Sequence, residues 1–145
     1  MKLLPLLFCI VTLGAAGAMR AAWCSAPEIV VVVSSKSAIT ALSPNQVADI
    51  FLGKSNRFPD GNLAVAIDHA EDSAARERFY AQFTGKSAAQ VKSHWSKIIF
   101  TGRGQPPRQA AGNLEARKLV ADNPQAIGYL ESHMVDASVR VLASK

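Results

Sequence analysis

Cysteine is nearly absent from this chain: of 145 residues only Cys9 and Cys24 carry a thiol. Cys9 lies in an apolar N-terminal stretch that reads as a removable segment, so Cys24 has no partner for an intramolecular disulfide. Aromatic residues make up 7% of the chain and charged residues 19%, against 49% hydrophobic. That balance excludes a disordered or solvating polymer. Nine glycines and seven prolines are ordinary numbers and exclude a collagen-like or proline-rich architecture. No apolar run reaches the roughly 20 residues of a membrane-spanning helix. G-x-S-x-G, H-E-x-x-H, a phosphate loop and a usable Cys–His arrangement are all missing, so the residues suggest no enzyme, metal or cofactor. The net charge of +5 comes from scattered Lys and Arg with acids among them. Such scatter lacks the one-sided basic face of a nucleic-acid binder and supports only a mild attraction for anions.

What is present begins with an export signature. Lys2 is followed by a nearly unbroken apolar stretch from Leu3 to Leu13, then by the small residues Gly14 to Ala18. A charged start, a short apolar run and an A-x-A end describe a secretory signal peptide. Ala16-Gly17-Ala18 is the cleanest such end, so cleavage is expected after Ala18; Ala22 and Ala26 are alternatives, the latter disfavoured by Pro27. An uncleaved N-terminal anchor is the other reading. Bulky Trp23 before Cys24 argues against a lipid-modified cysteine. Residues 1–26 are therefore read as signal peptide and leader, and 27–145 as one domain, with a periplasmic location. A domain of about 120 residues suffices for a true core.

In that domain, Glu28 to Ser34 is a β-branched run of the kind found in central strands buried on both faces. Ser43-Pro44 opens a helix that Gly53 stops. Leu63 to Ile67 reads as a second strand ending at Asp68. A helix starts near Ser73 and ends at Gly85, and Ser87 caps another with Val91, Trp95, Ile98 and Ile99 as its inward stripe. Gly102 to Pro107 reads as a stiff loop, Asn113 as the cap of a further helix, and 126–130 and 139–142 as strands. Trp95, Phe79 and Phe83 stand at helical spacing and are expected in the core. Alternating strands and helices predict an α/β fold with a mostly parallel sheet and helices on both faces.

Ser43-Pro-Asn-Gln-Val-Ala-Asp-Ile-Phe-Leu-Gly-Lys54 and Asn123-Pro-Gln-Ala-Ile-Gly-Tyr129 resemble segments of the phosphate-binding components of ABC transporters. The strand–loop–helix from Val65 to Phe83 lies between them in matching order, and Phe100-Thr-Gly-Arg-Gly-Gln-Pro-Pro107 resembles the small stand-alone exported relatives of that family. The resemblance runs from Glu28 to Leu142. It implies a single lobe of the type II periplasmic-binding-protein fold, where the full proteins close two lobes on an oxyanion. It also implies a solute-binding role with phosphate or another small oxyanion as ligand. A second copy, or a membrane transporter or sensor, would be the partner. The alternative is a protein-interaction or sensory module that has lost high-affinity binding.

The turn from His69 to Arg76 is the leading site, because open α/β sheets bind ligands beyond the carboxyl ends of their strands and a helix start offers free N–H groups. The resemblance aligns Ser73 with the Ser of a phosphate-holding Ser-Gly-Thr run, with Ala74 and Ala75 in place of Gly and Thr. The preceding Arg of the family is missing, and Glu71 and Asp72 would repel an anion. Candidate donors are Ser73, the N–H groups of Ala74, Ala75 and Arg76, and, if they reach the same edge, Ser35, Lys36 and Arg103. The plainer reading makes Asp72 or Ser73 a helix cap and Lys36 a solvated loop charge. Asp68, His69, Glu71 and Asp72 are of metal-ligand type, yet one strand-to-helix turn rarely aims such groups at one point.

Overall fold

A computed structural model describes residues 25–144, so the expected signal peptide, its cleavage site and both cysteines lie outside the described residues. Nine longer elements follow in the described chain. They are β1 (Ile29–Ser34), α1 (Pro44–Phe51), β2 (Val65–His69), α2 (Ala74–Thr84) and α3 (Ala88–Phe100). After them come β3 (Arg108–Ala110), α4 (Asn113–Asp122), β4 (Ala126–Glu131) and β5 (Val139–Ser144). The strands form one sheet in the order β3-β2-β4-β1-β5.

β2 is parallel to both β3 and β4, whereas β1 is antiparallel to β4 and to β5. Four strands thus point one way and β1 alone runs against them. The expected two-sided burial of β1 holds along its whole length. Burial on both faces makes the strand continuously apolar, but it carries no information about direction. Ile29, Val31 and Val33 face one core with Val47, Phe51, Phe79, Tyr80 and Trp95. Val30 and Val32 face the other, with Ala116 and Val120 of α4. Helices α1, α2 and α3 therefore cover one face and α4 the other.

The helix starts follow from local chemistry. Ser43 and Ser87 form reciprocal capping boxes with Gln46 and Gln90, so two otherwise unpaired N–H groups are satisfied at each. Asn113 does not cap α4. Gly112 holds that position, and the Asn113 side chain instead reaches Glu131, donating to its Oε2 at 3.2 Å and accepting from its N–H at 3.3 Å. β3, which follows the expected loop of Gly102 to Pro107, was not legible, because three residues with a single buried one, Ala110, show no periodicity. Among the described residues no helix is long and apolar enough to cross a membrane.

Candidate functional site

β2 and β3 are parallel neighbours, with Asp68 opposite Gln109 and His69 opposite Ala110. The chain leaving β2 passes to α2 on one face, while the chain leaving β3 passes to α4 on the other. Adjacent strands whose connections depart to opposite faces leave a crevice at their carboxyl ends, the place where open α/β sheets take ligands. The start of α2 lies at this crevice.

Ser73 is the N-cap of α2, and its Oγ accepts from Arg76 N–H at 3.4 Å. The Ser73 hydroxyl oxygen is therefore already engaged as an acceptor, while its hydrogen is free to donate. Ala74 is exposed and Ala75 buried. Glu71 leans on Lys92 at 3.5 Å, an exposed pair that offsets part of the negative charge expected here.

Behind the turn lies a buried polar network centred on Asp68. Its Oδ2 accepts from Arg76 Nε at 3.1 Å and from the Tyr80 hydroxyl at 2.8 Å. Its Oδ1 accepts from His69 N–H at 2.8 Å and from the Tyr129 hydroxyl. His69 Nε2 lies 2.9 Å from the Tyr129 carbonyl oxygen, and the two rings stack with centroids 4.7 Å apart. Arg76 also sits over the Tyr80 ring, 5.1 Å from its centroid. Burial opposes the charge on Arg76, but the Asp68 carboxylate and its hydrogen bond prevail and hold the guanidinium pKa above its ordinary value. Burial, reinforced by the Asp68 charge and hydrogen bonds, pushes both phenol pKa values far up. Both tyrosines therefore stay neutral donors to a carboxylate they cannot escape.

Arg76 still lines a hollow of about 120 Å³ with Asp68, Glu71, Lys92, Trp95 and Gln109. That volume equals the share of about four waters. The hollow suits a small hydrated ion rather than an organic molecule.

The other expected donors lie elsewhere. Because β1 runs against β2, Val33 pairs with Ile127, which in turn pairs with Ala66 near the start of β2. Ser35 and Lys36, which follow β1, thus stand at the opposite edge of the sheet from Ser73. Lys36 borders a separate hollow with Ile39, Phe58, Asp60 and Gln125. Arg103 follows α3 and borders yet another hollow, beside Lys54 and Arg57. The structure brings Ser73, Ala74, Ala75 and Arg76 together and separates them from Ser35, Lys36 and Arg103. His94 and His133 turn to Leu52 O and Glu131, and among the described residues no three metal-type ligands gather.

The Asp68 network was not anticipated. The signal available was an acid closing an apolar strand, an Arg eight residues on, and the only two tyrosines of the chain at apolar positions of the pattern.

No protein-family model matches the chain, and no curated sequence does. Solved structures do. A phosphate ABC transporter substrate-binding protein from Clostridium perfringens, solved with bound phosphate, superposes with a TM-score of 0.64 at 21% identity. That match covers 80% of this chain and 44% of the other. An ABC-type phosphate transport receptor from Vibrio cholerae gives 0.63 at 17% identity, over 80% and 46% of the two chains. PstS from Borrelia burgdorferi gives 0.57 at 13%, over 81% and 47%. The fold is thus that of one lobe of a phosphate ABC transporter substrate-binding protein. The chain spans less than half the length of the proteins it matches.

Proposed function

We propose that this chain is an exported, solute-binding-like protein of the periplasm that takes a small oxyanion, phosphate first among them, at the start of α2. The observation that carries the reading is the placement of that helix start at the crevice between β2 and β3, in a fold shared with phosphate-binding proteins. The donors are the Ser73 hydroxyl, the N–H groups that open α2, and the outer face of the Arg76 guanidinium. No covalent chemistry is assigned to the site; its neighbours in structure are named as binding proteins, not enzymes.

The second reading is a protein-interaction or sensory module. It is favoured by Arg76, already committed to Asp68, and by Phe100, 93% exposed at the end of α3 beside half-exposed Ile99. A partner protein would cover such apolar surface.

Calorimetry with phosphate, sulfate and molybdate tests the first reading. Ser73→Ala should weaken phosphate binding by about tenfold or more, one hydrogen bond to a charged ligand netting about 1.5–3 kcal/mol. Asp72→Asn should strengthen it by removing a repelling charge. Absence of heat with every oxyanion would leave the second reading standing.

A further inference from the structure

A second site lies away from α2. Where α1 and α3 end, Lys54, Arg57 and Arg103 line a hollow of about 450 Å³, and no carboxylate lines it with them. Helix ends normally occupy nearby cations through their free carbonyls, but here the turns satisfy those carbonyls themselves. Leu52 N–H donates to Ala48 O, Gly53 N–H to Ile50 O and Lys54 N–H to Asp49 O, while Thr101, Gly102 and Arg103 N–H groups close α3 in the same way. Arg103 makes no side-chain hydrogen bond or ion pair among the described residues. Arg57 gives Nη1 to Gly61 O at 2.7 Å and keeps its other donors. Lys54 has only the exposed Asp49 at 3.7 Å, a contact of little strength.

This cationic hollow shares Gly53, Ser55, Asn56, Trp95 and Gln105 with a neighbouring hollow of about 480 Å³. The neighbour is mainly apolar, bounded by Ile50, Leu63, Trp95, Pro106 and Pro107, with Arg108 its one charged lining residue. The floor between them is tightly packed. Gly53 has a φ of +72° and lies so close to the Trp95 ring that a Cβ there would meet Cη2 at 2.6 Å. One continuous trough therefore has an apolar half and a half with three cations.

We infer that this trough binds an amphiphilic anion, its sulfonate, carboxylate or phosphate held by Arg103, Arg57 and Lys54 and its apolar body laid against Trp95 and Pro106. Charge complementarity selects the head and the neighbouring apolar wall selects the body, so neither half alone defines the ligand. The trough shares Trp95, Pro106 and Pro107 with the hollow at Arg76, but its cations Lys54, Arg57 and Arg103 do not line that hollow, and Ser73 lines neither.

Fluorescence titration of the full chain with 1-anilinonaphthalene-8-sulfonate is the test, with the uncharged N-phenyl-1-naphthylamine and inorganic sulfate at matched ionic strength as companions. One saturable site per chain is expected for the anionic probe. Arg103→Glu should weaken it by more than about tenfold, since it removes one charge-assisted hydrogen bond and adds a repelling carboxylate. Arg103→Ala, a truncation of an exposed loop side chain, should weaken it to a lesser degree. Ser73→Ala should leave it unchanged, which separates this site from the phosphate reading. The uncharged probe should bind far more weakly and sulfate should not compete. Equal binding of charged and uncharged probes, indifference to both Arg103 variants, or full displacement by sulfate would each overturn the proposal.

Discussion

Asp68 shows how much one side chain can organise. Four donors converge on its two oxygens, and each is itself buried, so the network is satisfied from within and costs little of the desolvation that a lone buried charge would incur. The two phenols give this a spectroscopic handle, since they are the only tyrosines in the chain. Their folded pKa values are raised above the ordinary value near 10, so the folded state keeps protons that the unfolded state releases. Stability from this source is complete below about pH 10 and declines as pH rises past it, by about 1.4 kcal/mol per pH unit for each tyrosine. Tyrosinate absorbance at 295 nm should stay flat past pH 10 and then rise together with the loss of far-ultraviolet circular dichroism. A smooth titration near pH 10 with dichroism intact would contradict the network. The residues were visible in the sequence, but only the fold brings Tyr129 beside Asp68, 61 positions away. Nothing local could announce it.

At the scale of elements, what was legible was whatever chemistry acts over three or four residues. Ser43 with Gln46, and Ser87 with Gln90, mark their helices by the reciprocal bonds they form. Ser73 marks α2 by a one-way cap, its Oγ accepting from Arg76 N–H with no side chain returning the bond. Asn113 misled because its side chain found a better partner in Glu131, a choice made by tertiary contact. Ser35 and Lys36 misled for a related reason: their edge of the sheet depends on the direction of β1, which hydrophobic pattern does not encode. The turn after α1 offers a test at this level. Gly53→Ala combines a left-handed backbone with a clash against the Trp95 ring, and should lower stability by about 3 kcal/mol. Gly61→Ala, also at positive φ but with nothing within 4 Å, should cost about 1 kcal/mol. Urea midpoints of the two variants would show the difference; equal midpoints would mean that Trp95 yields easily.

For the molecule as a whole, the α/β class and the layering on both faces were legible because alternating patterns specify layers. The resemblance to one lobe was legible because three motifs occur in order, and superposition agrees at the level of fold. Ligand strength belongs to this scale too. A single lobe presents one helix start, one hydroxyl and one committed guanidinium to an oxyanion, and these contributions must offset the loss of ligand freedom. A monomeric chain should therefore bind phosphate with a dissociation constant of roughly 0.1 mM or weaker. Calorimetry paired with sedimentation gives the check. Micromolar binding by a verified monomer would defeat the expectation, whereas tight binding confined to a dimer would mean that a second copy supplies the missing wall.

The first and last strands of the sheet are hydrogen-bonded neighbours, Val30 opposite Ser144 and Ser34 opposite Val139. β4, the other neighbour of β1, also follows it by about a hundred residues. During synthesis the Ile-Val-Val-Val-Val-Ser segment therefore emerges about a hundred residues before either strand that will flank it. A fully apolar strand with two open edges is a template for pairing between chains. Growing polypeptides must carry that segment unpaired until β4 has been made, although β2 and β3 are available to each other earlier. Pulse-labelled nascent chains stalled before Ala126 should bind a chaperone that full-length chains release.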